Sequence, residues 1–172
     1  MNTILLRKKF ERIGTRMQLR PVIVNLYRRE LAGIDISTHQ QGEYFDIRLA
    51  DDDQVDYEVV DVRPDMRHLL LLARRPWEKQ KFLCGHDERH WFVCAVPGDS
   101  ISNVVNAMEA LQPREVKRVV NRRVKRVRDR LRRRNKAFVR RGEWFFLREE
   151  VLPVDPRLVR AAPGAQNVVF LD

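Results

Sequence analysis

In the first half of the chain, apolar residues recur with a period of two. In "EYFDIRL" (Glu43–Leu49), Phe45, Ile47 and Leu49 alternate with Asp46 and Arg48, the pattern of a half-buried strand. Residues 15–26 and 33–49 are rich in Val, Ile, Tyr and Phe and read as strands, and "DDDQ" at 51–54 reads as a turn. "DYEVVDV" and "HLLLLA" flank the proline-containing "RPDM", which predicts a hairpin. "KFLCGHDERHWFVCAVP" predicts a second hairpin with its tip near Gly85–Arg89. Ahead of these strands, Leu6, Phe10 and Ile13 fall on one side of a short amphipathic helix over Leu5–Ile13.

The period changes after Pro97 and Gly98. Asp99 or Ser100 is placed to cap a helix through "SNVVNAMEAL", and Pro113 to begin the next one. On a wheel of 100° per residue, Val116, Val119, Val120, Val124, Val127 and Leu131 share about 140° of arc. That spacing predicts one long amphipathic helix over 113–135. Beyond Asn135 the pattern returns to strand: "AFV", a turn at "RRG", then "EWFFL". The remainder holds Pro153, Pro156 and Pro163 and reads as irregular, with "NVVFLD" strand-like at its end. The expected fold is α+β in one domain. Residues 1–98 form an antiparallel β-rich half, 99–135 a helical pair, and 136–172 a closing β-hairpin with an irregular tail.

Charge gives the helical pair its significance. The chain has 172 residues, 44% of them apolar, enough for a true core, and a formal charge of +10. Arg114–Lys136 alone holds thirteen Lys or Arg against two acids, a surplus of eleven that leaves the other residues near −1. Concentrated charge of this kind points to an anionic partner. Arg114/Arg118, Arg118/Arg122, Arg122/Arg126 and Arg128/Arg132 are like-charge pairs at i,i+4, each unfavourable by a few tenths of a kcal/mol. Valine is also a mediocre helix former, so the helix needs help from docking and from an anion. An internal anion is available in Glu43–Asp65, with nine acids against two arginines. Full pairing there still leaves cations over, and Arg7, Lys8, Lys9, Arg12, Arg16 and Arg20 add more.

These features favour an external polyanion, met by guanidinium forks on Arg118, Arg122, Arg126, Arg132 and Arg133 and by the ammonium of Lys125. The apolar face lacks the Trp, Phe and Leu of a membrane-surface helix, and "LLLLA" is too short to span a bilayer. "MNTILLRKKFERIG" has too short an apolar run for a secretory signal, and a cytoplasmic protein is expected. Nucleic acid fits best. RNA is favoured over DNA because Trp144 or Phe146, directly after the arginines, is suited to stack on a base. There is no RNP1 pattern, KH loop or zinc knuckle. A helix-turn-helix over 100–134 would offer only Asn121 as a base reader. Phosphate contacts with little sequence choice are therefore expected, in a subunit or accessory of a nucleoprotein complex. The alternative binding reading is a protein–protein adaptor docking on an acidic partner.

"CGHDERHWFVC" is the segment nearest to enzyme chemistry. Cys84, His86, His90 and Cys94 are the ligand types of a structural zinc. A hairpin turning near Asp87 sets Cys84 opposite Trp91 and Cys94 opposite Lys81, which separates the sulfurs, so neither metal nor cofactor is expected. His86, Asp87, Glu88 and His90 form the alternative catalytic set, for a small metal-dependent nuclease or hydrolase. The favoured reading is a polar turn facing water, with Cys84 and Cys94 as small core residues. The GxGxxG, GxxxxGK[ST] and GxSxG patterns are absent, and Ser37, Ser100 and Ser102 are the only serines. A non-enzymatic protein is the expectation.

Overall fold

The computed structural model describes residues 3–21, 24–25, 28–29, 33–49, 55–98, 100–141, 144–147, 159–161 and 168–170. Helix α1 (Thr3–Arg12) leads into β1 (Met17–Pro21), followed by the two-residue strands β2 (Val24–Asn25) and β3 (Arg28–Arg29), which pair with each other. β4 (Gly33–His39) and β5 (Gly42–Leu49) form an antiparallel hairpin, and β1 joins its outer side parallel to β5, from Met17 opposite Phe45 to Pro21 opposite Leu49. The turn expected at 51–54 lies outside the described residues. A four-stranded antiparallel meander follows in chain order: β6 (Asp56–Arg63), β7 (His68–Arg74), β8 (Lys79–His86) and β9 (Trp91–Val96). β6 turns into β7 through a 3-10 turn at Pro64–Met66, closed by Arg67 in the left-handed region at φ 57°.

The run of leucines in β7 shows why this sheet lies at the centre. Successive side chains of a strand point to opposite faces, so a strand apolar at every position needs cover on both. Leu69, Leu71 and Ala73 pack with Phe10, Ile13, Met17, Phe45 and Ile47, beneath α1 and the three-stranded sheet. Leu70 faces the other way, with Leu83, Val96, Ile101, Val104 and Ala107. The second cover is α2 (Val104–Ala110). Its cap is Asn103, whose Oδ1 accepts from the Asn106 amide at 2.8 Å, rather than the expected Ser100; Asp99 lies outside the described residues. The Asp61 carboxylate accepts from the Val104 amide at 2.8 Å and ties α2 to β6.

The basic segment is not the single helix expected over 113–135. It divides into α3 (Arg114–Arg123) and the one-turn α4 (Val127–Arg130), with Val124 and Arg126 in extended conformations, the latter at φ −83° and ψ 122°. The break takes Arg122/Arg126 off a common helical face, so one of the four expected repulsions disappears. It also keeps Val124 buried with Val116 and Val120 against Ala137 and Phe138, in a small core separate from the other two. The side chain of Val127 lies outside the described residues. β10 (Phe138–Arg141) and β11 (Trp144–Leu147) then form the closing hairpin. In the tail, expected to be irregular, β12 (Val159–Ala161) pairs antiparallel with β13 (Val168–Phe170). The fold is α+β, and no helix of the described residues is long and apolar enough to cross a membrane.

Candidate nucleic-acid interface

The concentrated charge becomes a shape where the helix breaks. The end of α3, the extended residues, α4 and the loop to β10 enclose a basin of about 710 Å³. Arg123, Lys125, Arg126, Arg132, Arg134 and Lys136 line it, and Asp129 is the acid among its lining residues. Asp129 pairs with Arg132 at 3.3 Å. Lys125, Arg126, Arg132, Arg134 and Lys136 are exposed.

Asn135 holds this rim together. Its Oδ1 accepts from the amides of Ala137 at 2.8 Å and Phe138 at 3.0 Å. Its Nδ2 donates toward the carbonyls of Asp129, Arg130 and Arg132 at 3.2, 3.4 and 3.5 Å. A bridge between Arg134 and Val139 sets the loop beside β10. An Asn between two basic clusters is the signal in the sequence, since Asn side chains commonly close turns on their own backbone.

The expected contact residues divide into groups. Arg118 and Arg122 are exposed on α3, which turns Val116 and Val120 inward. Lys125, Arg126 and Arg132 belong to the basin. Arg133 is turned away, to Asp87 at 3.0 Å and Glu88 at 3.6 Å. Trp144, on β11, is 74% exposed. Arg123, Arg134, Asn135 and Lys136 were missed, because a continuous helix sets Arg123 about 16 Å along its axis from Arg134, and only the break gathers them.

The hairpin tip does not simply face water. Asp87 also pairs with Arg140 at 3.5 Å and Glu88 with Arg141 at 3.6 Å, so two carboxylates clamp three arginines of the basic module. His90 turns the other way, with Nδ1 2.7 Å from Glu43, whose second oxygen accepts from the Trp91 amide at 2.8 Å. The Trp91 amide, and then His90, hold the Glu43 carboxyl below its usual range. His86 stacks edge-on against Trp91 at 4.8 Å, and burial followed by the nearby Arg67 lowers its pKa. The four tip residues thus diverge toward three different neighbours.

The register corrects the cysteine expectation as well. Cys84 lies opposite Val93 and Cys94 opposite Leu83, two positions from the expected pairing. Paired residues share a face, so the two sulfurs point to opposite sides of the sheet. Cys84 is buried in the core, where burial pushes its thiol pKa up, whereas Cys94 is exposed and not a core residue. Among the described residues, no three His, Cys, Asp or Glu side chains group in a way that could hold a metal ion.

Three described acids of the Glu43–Asp65 segment are engaged by arginines outside the basic module. Asp46 pairs with Arg20, Glu58 with Arg74 and Asp65 with Arg63. Arg20 therefore serves the fold rather than adding to the cationic surface. No protein-family model matches the chain, and comparisons with curated proteins and with solved structures found no match.

Proposed function

We propose that this protein binds nucleic acid, without catalysis, chiefly through the phosphate backbone. The observation that carries the reading is the basin in which six cations face a single acid. Folding alone does not call for such a gathering: like charges held close repel, and a bound phosphate relieves that repulsion. Guanidinium groups suit phosphate oxygens because they offer two parallel N–H donors. RNA is the favoured class because the same module exposes Trp144, and RNA presents unpaired bases in loops and bulges. Because backbone contacts carry little sequence information, the chain is best understood as a subunit or accessory of a nucleoprotein complex.

Salt titration with and without the basin charges tests this. Replacing Lys125, Arg126, Arg134 and Lys136 with Gln removes four exposed cations and leaves Val116, Val120 and Asn135 in place. On a single strand, the slope of log K against log salt should become shallower by up to about 3. An unchanged slope with unchanged affinity refutes the reading. The adaptor reading has one observation in its favour: Arg133, Arg140 and Arg141 already pair with carboxylates, those of this chain's own Asp87 and Glu88. An acidic protein partner that binds the wild type when RNA does not would select it.

A further inference from the structure

We propose that the outer face of the closing hairpin is a stacking platform for two neighbouring unpaired bases of a single RNA strand, one on Trp144 and one on Phe146. This rests on the nucleic-acid reading above and narrows it to strandedness. In the β10–β11 register, Arg141 lies opposite Trp144 and Val139 opposite Phe146, so these four side chains share one face. Phe138, Arg140, Phe145 and Leu147 share the other. The inner face is committed to the fold: Phe138 is buried in the valine core and meets Phe145 edge-on at 5.1 Å. On the outer face, Trp144 is 74% and Phe146 57% exposed. Large aromatic side chains gain most by burial, and two left side by side in water mark a contact surface.

Spacing selects the substrate. Residues two apart on a strand are separated by about 6.7 Å. Bases stacked in a helix repeat every 3.4 Å along each strand, so a continuous stack cannot seat successive bases on both rings. An unpaired, opened strand can.

The electrostatic surroundings select a polyanion over an apolar protein. Arg141, opposite Trp144, is exposed and is held by Glu88 only at the surface, at 3.6 Å. The Arg134–Val139 bridge places Arg134, a basin residue, on the same side as Phe146 and two strand spacings away, about 10 Å. A strand whose bases rest on the hairpin would thus carry its phosphates into the basin.

The test measures binding of a labelled twelve-nucleotide RNA, as a single strand and as a blunt duplex, by fluorescence anisotropy. Trp144→Ala with Phe146→Ala should weaken the single strand by about thirtyfold or more and leave the duplex unchanged, as each stacked base contributes roughly five- to 150-fold. Trp144→Phe with Phe146→Tyr, which keeps both rings, should restore most of the loss. If the alanine pair weakens neither RNA, or both equally, the platform is refuted and the backbone reading stands. If the wild type binds neither RNA, both readings fall. Should the alanine pair instead abolish self-association or binding of an acidic protein, the face is a protein contact and the proposal is overturned.

Discussion

Gly85 sits where three strands meet, and replacing it with Ala should destabilise the protein through one identifiable collision. His68 lies opposite it on β7 and Phe92 opposite it on β9. A Cβ at Gly85 would fall 2.5 Å from His68 Cδ2 and 2.7 Å from Nε2. The ring is not free to move aside. Its Nδ1 lies 2.5 Å from the Met66 carbonyl, it meets Phe92 edge-on at 5.5 Å, and the residue is 7% exposed. Forcing in the methyl should cost about 1–3 kcal/mol. Loss of glycine's freedom in the unfolded chain returns about 0.4–1 kcal/mol, so the net loss centres on about 1 kcal/mol and reaches at most about 2.6 kcal/mol. For a chain of this size that lowers Tm by roughly 2–8 °C. The discriminating measurement is a double-mutant cycle by urea unfolding. In a His68→Ala background the obstruction is gone, and Gly85→Ala should become neutral or slightly stabilising, a coupling of about 1–3 kcal/mol. Equal costs in the two backgrounds would refute the collision.

Neutralising the tip with Asp87→Asn and Glu88→Gln should release Arg133, Arg140 and Arg141, tightening RNA binding and steepening its salt dependence; unchanged affinity and slope would show that these arginines do not contribute. In the native protein a thiol reagent should modify Cys94 rapidly and Cys84 only after unfolding, and equal rates would contradict the assigned faces. Burial, outweighing the Met66 carbonyl, holds His68 below its ordinary pKa of 6.5, so between the two values the unfolded chain binds the extra proton. Its contribution is complete above pH 6.5 and is lost as pH falls toward the lowered folded value. Urea titrations should show this loss, and His68→Gln should flatten it.

The strand half was legible because its signals are local. Period-two alternation in β5, the proline turn after β6 and the leucine run of β7 each determine their element within a few residues. Leu6 and Phe10 marked the buried side of α1, and Ile13 the buried residue just past it, for the same reason. The helix break was not legible. Val124 fits the apolar stripe of an unbroken helix, and only its packing against Ala137 and Phe138 shows that the stripe is kept by an extended residue. The cysteine register moved by two positions because the tip is a four-residue turn from Asp87 to His90, closed by the Asp87 amide and the His90 carbonyl at 2.9 Å. The clamp from Asp87 to Arg133 joins residues far apart in sequence, and charge counting proposed the larger acidic hairpin instead. Trp144 raised the question of stacking from sequence, while its exposure came only from the fold.

The parallel pairing of β1 with β5 also has a consequence for the order in which the chain assembles. The meander and the β4–β5 hairpin join neighbouring segments, whose loops close at little entropic cost. β1 must wait for a partner 28 residues downstream, since Met17 meets Phe45, and its lock is the Arg20–Asp46 pair, with Nε 2.9 and 2.8 Å from the two oxygens. Contacts of greater sequence separation form later when local ones are available. β1 is therefore expected to be fixed late, leaving one edge of β5 unpaired in the interval and open to wrong partners. Pulse-labelled hydrogen exchange during refolding should find the amides of Met17–Arg20 protected after those of β7 and β8, and simultaneous protection would show that the parallel strand forms with the first nucleus.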